Sequence, residues 1–257
     1  MSQSKPSIVL VPGAFAPPEC YEGVTTKVAS QGYDIHAVRL PSVAPSAGPL
    51  PPPGTMYDDA AAIAREISRL VEQGKEVVVV AHSYGGTPAS QSVQGLVKRE
   101  GAGGVVRLAY LAALVPSLGA PAAAVLADVP QRETSVDEQG WISQVDIPAF
   151  AAACFSDMPP DEGLAWMQQF TRHSAVSMVN PLTYAGYKDV PVAYLLCDGD
   201  RIVPPGVQQQ AIDRIASESG REVDVTVIPT GHVPVASAPE VVVDWIVRVA
   251  GGDESIQ

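Results

Sequence analysis

Glu76 is followed by Val77-Val78-Val79-Val80-Ala81, a strand-forming run apolar at every position, and the run stops abruptly on His82-Ser83-Tyr84-Gly85-Gly86. Successive side chains of a strand point to opposite faces, so a strand with no polar face must be covered from both sides. That condition selects a parallel sheet with helices above and below it. The same pattern recurs in Ser7 to Val11, Asp34 to Leu40, Val105 to Leu114, Val192 to Cys197 and Glu222 to Ile228, each bounded by Gly, Pro or polar residues. With Glu76 to Ala81 these predict six strands, and helical patterns alternate with them.

One helix is marked at both ends: Thr55 and Asp58 form a capping-box pair, Ile63, Ile67, Leu70 and Val71 share a face, and Gly74 is the stop. A second stripe, Gln208, Ala211, Ile212, Ile215 and Ala216, ends at Gly220; a third opens at Ser237, Pro239 and Glu240 and carries Val242, Trp245, Ile246 and Val249. All three read as scaffold. The stretch from Pro116 to Tyr187 breaks the rhythm. It is too long for a loop and holds Trp141, Phe150, Phe155, Trp166, Met167, Phe170 and Met178 without a parallel-strand pattern, which predicts an inserted helical cap over residues 116–187.

Composition narrows the class. With 46% hydrophobic and 17% charged residues the chain is not disordered, and 257 residues suit one α/β domain spanning 1–257. A net charge of -12, with no Lys/Arg cluster, repels phosphate backbones, so nucleic acid is not an expected partner. The start, Met1-Ser2-Gln3-Ser4-Lys5-Pro6, has no cleavable apolar region, and no apolar run approaches the ~20 residues that cross a bilayer; a cytoplasmic protein without membrane contact is the expectation. Cys20, Cys154 and Cys197 are odd in number and widely spaced, which argues for buried thiols and against a disulfide framework or zinc site. The prolines cluster at Pro41 to Pro53 and at Pro159-Pro160, as loops rather than domain linkers.

The chemistry concentrates at strand ends. Ser83 stands where a strand gives way to a helix between small residues, the context of a nucleophile elbow, although Ala81 occupies the first glycine position of the G-x-S-x-G pattern. An ordinary helix-capping serine is the competing reading. After the fifth strand comes Cys197-Asp198-Gly199-Asp200-Arg201, where either carboxylate could orient an imidazole; after the sixth comes Thr230-Gly231-His232, at the same edge of a parallel sheet as Ser83. The chain order is Ser, Asp, His.

These features resemble the α/β-hydrolase superfamily, and within it the small hydroxynitrile lyase and plant methylesterase-like group. The resemblance covers nearly the whole chain. It is carried by Val11-Pro12-Gly13-Ala14-Phe15, by His82-Ser83-Tyr84-Gly85-Gly86, by Tyr194 to Asp200 followed by Gln208 to Ile212, and by Gly231-His232. It implies an α/β-hydrolase fold with Ser83 as nucleophile, His232 as general base and acid, and Asp200 rather than Asp198 as the residue orienting His232. It also implies an oxyanion hole from the N–H groups of Tyr84 and Ala14, with Phe15 the neighbouring alternative; Pro12 stands where many relatives have His.

Neither metal nor organic cofactor is implied, and the expected partner is a small-molecule substrate; no homo-oligomer is indicated. Phe15, Trp141, Trp166 and Phe170 are the candidate substrate contacts, with core packing as the alternative for each. His82 reads as a buried structural histidine, His36 as packing or surface, and His173 as a cap residue that could line a pocket. The expected reaction is hydrolysis of a carboxylic ester, thioester or lactone of a small to medium hydrophobic substrate through an acyl-enzyme. Carbon–carbon bond cleavage on the same residues is the alternative, although Val233 and Gly13 stand where the lyase relatives have lysine and threonine. A low-turnover ligand-binding protein of this fold is the third reading.

Overall fold

The computed structural model describes residues 5–130 and 132–251. The leaderless reading of the start falls on Met1 to Ser4, outside the described residues. The main sheet consists of β1 (Ser7–Val11), β2 (Ile35–Ala37), β3 (Glu76–His82), β4 (Gly104–Leu111), β8 (Val192–Cys197) and β9 (Asp224–Ile228), in the order β2-β1-β3-β4-β8-β9. Every pairing in it is parallel. Three predicted strands are shorter than read, β9 among them, which starts at Asp224 rather than Glu222. β2 keeps only its middle, and β4 ends at Leu111 because Ala112 turns out of the sheet with φ +44°.

Alternation along the strands splits the core in two. Val9, Val11, Val77, Val79, Ala81, Leu108, Tyr110, Tyr194 and Leu196 face one side, and Ile8, Leu10, Val78, Val80, Ala109, Leu111, Ala193, Leu195 and Cys197 face the other. On the first side pack α2 (Met56–Val71) through Ile63, Ile67 and Leu70, α3 (Gly86–Ser92) through Ala89, and α8 (Pro205–Ser219) through Ala211, Ile212 and Ile215. On the second pack α1 (Glu22–Ser30) through Val24 and Val28, and the last helix, Pro239–Gly251, through Val242, Trp245, Ile246 and Val249. The capping box at Thr55 forms, with Asp58 N–H donating to Thr55 Oγ1 and Thr55 N–H to Asp58 Oδ2. Gly220 closes α8 in the left-handed conformation that glycine adopts without a Cβ penalty. The three cysteines are free and buried.

Between β4 and β8 the chain builds α4 (Ala122–Val125), α5 (Ile147–Cys154), α6 (Pro160–Met167) and α7 (Ala175–Val179), but this segment is not helical throughout. It also forms an antiparallel sheet of β5 (Thr134–Val136), β6 (Trp141–Gln144) and β7 (His173–Ser174). The helical insertion therefore also carries a small antiparallel sheet. These strands are two to four residues long, and β5 is exposed at every position, so they carry no apolar run to read. Val43, in the loop after β2, bridges to His173 and ties the insertion to the main sheet's loops. Among the described residues no helix is long and apolar enough to cross a membrane.

Candidate active site

In the main sheet the chain leaves β1 toward β2 on one side and β3 on the other, so the strand order reverses at β1/β3. Loops at the carboxyl ends of the strands diverge there and open a crevice. The loop after β1 holds Gly13, Ala14 and Phe15; Ser83 directly follows the end of β3 at His82; the loops after β8 and β9 carry Asp200 and His232. Because every strand is parallel, all four loops share one edge.

Ser83 sits at φ +53°, a conformation that a residue with a Cβ avoids and that the surrounding turn imposes. The turn is possible because Gly85 and Gly86 have no side chain. A Cβ on Gly85 would stand 2.5 Å from the Pro12 carbonyl oxygen and 2.8 Å from that of Val11; one on Gly86 would stand 2.9 Å from Ala113 Cβ. The glycines let the elbow press against the loop after β1, and a Cβ on Gly13 would meet Ser83 Cβ at 3.1 Å.

Ser83 Oγ lies 2.9 Å from His232 Nε2, and His232 Nδ1 lies 2.7 Å from Asp200 Oδ2. The carboxylate can only accept, so Nδ1 carries the imidazole proton and Nε2 presents its lone pair to the serine hydroxyl. Asp200 is fully buried at its side chain and His232 nearly so. The other carboxylate oxygen of Asp200 accepts from Ile202 N–H at 2.7 Å and Val203 N–H at 2.9 Å, which fixes its plane. Gln208 braces this loop: its amide donates to the carbonyls of Cys197 and Val203 and accepts from Cys197 N–H. Asp198 is exposed and takes no part. The pairing of His232 with the second carboxylate of the turn follows from this geometry.

Tyr84 is the second residue of a short 3-10 turn, Ser83–Gly85, so its N–H lies among the first-turn groups that have no intrahelical acceptor and is left for another one. Ala14, Phe15, Ser83 and Tyr84 together line a cavity of about 360 Å³ whose other walls include Leu114, Leu126, Ile142, Phe150, His173 and Met178. Arg132 is the one charged residue lining it among the described residues. A smaller cavity of about 70 Å³ lies against Gly13, Ser83, Phe170 and His232. Phe15 and Phe170 are therefore at the site. Trp141 and Trp166 line neither cavity: Trp141 is fully buried with its indole N–H on the Pro51 carbonyl, and Trp166 packs on Phe155. Both are packing residues, since large aromatic side chains fill the insertion's own small core before they reach a ligand.

Two buried polar groups surround the elbow. Asp59, on α2, accepts from Tyr84 O–H at 2.7 Å and from Ser42 N–H at 2.8 Å; burial without a cation raises its carboxyl to about 6. His82 is buried as expected, and burial, with the neighbouring His232 second, pushes its imidazole down to about 3. His82 contacts Tyr21 O–H at 2.7 Å and the His232 carbonyl oxygen at 2.8 Å. Tyr21 was not legible as a site residue, because it opens a helix with no motif around it.

The match to known proteins agrees with this architecture. Residues 8–245 match the model of the alpha/beta hydrolase family. The chain is 36% identical over 248 residues to "Probable hydrolase R7" of a Phoma species, covering 96% of this chain and 99% of that protein. It is 27% identical over 246 residues to the "Pyrethroid hydrolase" of Sphingobium wenxiniae, covering 91% and 83%. The solved structure of polyneuridine aldehyde esterase superposes with a TM-score of 0.74 at 18% identity, over 96% of this chain and 100% of that one, a likeness of fold. From the match of almost its whole length, with a serine elbow and a histidine loop at the sheet edge, the chain belongs to the alpha/beta hydrolase family.

Proposed function

We propose that this protein is a serine hydrolase that cleaves a carboxylic ester, thioester or lactone of a small to medium hydrophobic substrate. The observation that carries the reading is the 2.9 Å approach of His232 Nε2 to Ser83 Oγ, with the serine held at φ +53° on the wall of a largely apolar cavity. His232 takes the hydroxyl proton as Ser83 Oγ attacks the substrate carbonyl carbon. Asp200, on Nδ1–H, stabilises the imidazolium that results. Negative charge developing on the carbonyl oxygen falls between the Ala14 and Tyr84 N–H groups, which are preorganised and need no rearrangement. The tetrahedral adduct collapses, the alcohol or thiol leaves with the proton from His232, and an acyl-Ser83 ester remains. Water then attacks with His232 as base, releasing the acid and restoring the serine.

The relatives support an ester or related acyl substrate by their names, a pyrethroid hydrolase and an esterase among them. Carbon–carbon cleavage is the weaker reading, because position 233 is a buried Val and supplies no cation beside His232. The test is burst release of nitrophenol from a short-chain nitrophenyl ester together with fluorophosphonate labelling. Both are expected in the native protein and absent in Ser83→Ala. A native protein that neither turns over the ester nor takes the label refutes the proposal.

A further inference from the structure

We infer that Tyr21 and His82 are positioning residues that hold the Ala14 N–H and the His232 imidazole in mutual register through one proton-ordered chain of hydrogen bonds. The inference rests on the hydrolase reading above and concerns two residues that take no part in its bond-making steps, although His82 also lines the smaller cavity. Gly13 N–H donates to Tyr21 Oη at 2.9 Å. A backbone N–H has no other role, so the tyrosine proton must go elsewhere, and its partner is His82 Nδ1 at 2.7 Å. With Nδ1 accepting, neutral His82 carries its proton on Nε2, which faces the His232 carbonyl oxygen at 2.8 Å. One fixed donor therefore orders every proton along the chain.

The two ends of that chain are covalently joined to the reacting groups. Gly13 precedes Ala14, the donor from the loop after β1; the carbonyl belongs to His232, the base; and His82 itself precedes Ser83. Tyr21 and His82 are 2% and 5% exposed, so water cannot substitute for a missing member without a cavity being made for it. A Cβ on Gly13 would stand 3.2 Å from His82 Nδ1, which shows how closely the loop rests on this side chain. The His82 and His232 rings lie 5.0 Å apart, so the same side chain also backs the base. Structural packing alone would need an apolar pair of this size. The ordered chain instead sets the distance between an oxyanion donor and the proton acceptor, which matters only when the carbonyl oxygen takes on charge.

The experiment is a double-mutant cycle of Tyr21→Phe and His82→Gln, with active sites counted by fluorophosphonate and melting temperature recorded for each variant. Tyr21→Phe removes one oxygen atom; His82→Gln keeps a donor and an acceptor but moves them from a rigid ring onto a flexible side chain, so that the two hydrogen bonds are no longer held at a fixed separation. Each single change is expected to lower kcat per counted site about tenfold at unchanged KM, less than the 10²–10³-fold loss of a whole oxyanion donor. A boronic acid that mimics the tetrahedral adduct should weaken by the same factor. The double variant should lose no more than the worse single, as members of one chain do.

Wild-type kcat per site in the folded single variants, losses that multiply in the double variant, or a proportional rise in KM would each overturn the positioning role alone. If one variant does not fold, the other decides by the kcat and boronic acid readouts. A wild-type protein without Ser83-dependent turnover would overturn the hydrolase reading and this inference together.

Discussion

Replacing Asp200 with Asn tests the proton order on which the proposed chemistry depends. In the native protein Oδ1 accepts from Ile202 and Val203 N–H at 2.7 and 2.9 Å, and Oδ2 accepts from His232 Nδ1–H at 2.7 Å. The amide oxygen of an asparagine must stay against the two backbone donors, because turning its NH2 group toward them would set donor against donor in a buried turn. The NH2 group then faces His232 Nδ1 and donates to it. His232 is forced to carry its proton on Nε2, toward Ser83 Oγ, where it can no longer receive one. The same tautomer error costs about ten-thousand-fold in kcat in a serine protease. At about 1.36 kcal/mol per factor of ten, that is about 5.4 kcal/mol of transition-state stabilisation. Asp198→Asn is the internal control, since that side chain is exposed, and kcat is expected to stay within about twofold. The assay is kcat and KM on a nitrophenyl ester, normalised to labelled serine, beside the melting temperature of each variant. A folded Asp200→Asn protein within tenfold of native activity, or a larger loss in Asp198→Asn, refutes the reasoning.

Further outcomes follow from the same contacts. Gly85→Ala drives a Cβ to 2.5 Å from the Pro12 carbonyl oxygen, a backbone atom that cannot rotate away, so about 1–3 kcal/mol of stability should be lost, read as a fall in melting temperature. Gln208→Leu strips partners from the Cys197 N–H and from the Cys197 and Val203 carbonyls beneath Asp200. A loss of about 3 kcal/mol in denaturant unfolding, with kcat reduced about tenfold, is expected; unchanged unfolding would remove its role as a brace. For Asp59 the folded carboxyl, raised by burial from 3.8 to about 6, binds a proton that the unfolded chain has already released between those values. Its contribution to stability is therefore full below about pH 4 and is lost as pH rises to about 6, by at most about 3 kcal/mol. Asp59→Asn should become more stable relative to native across that window; a difference that is flat with pH contradicts the assignment.

What could be read from the sequence follows from how far each constraint reaches along the chain. Val77 to Ala81 is apolar on both faces because α2 and α1 cover opposite sides of the sheet, and that demand is written into every second residue. Thr55 and Asp58 cap each other across three positions, and Ser83 needs glycines two and three residues on. Such local requirements are legible. The insertion is not built this way. Ser143 pairs with Ser135, and His173 pairs with Ile142 across some thirty residues, in strands too short to show a period. Trp141 and Phe15 look alike as exposed-or-buried aromatics in a sequence; only the approach of β6 to the Pro51 loop sends one into packing, while the positive φ of Phe15 turns the other onto the cavity. Tyr21 is the extreme case, since its hydroxyl meets His82 sixty-one residues away and neither neighbourhood predicts the other. The residues that do the proposed chemistry are thus the ones most strongly constrained by local backbone geometry. Those that set its alignment and its substrate range are constrained by contacts between loops, and they emerge only when the sheet brings the loops to one edge.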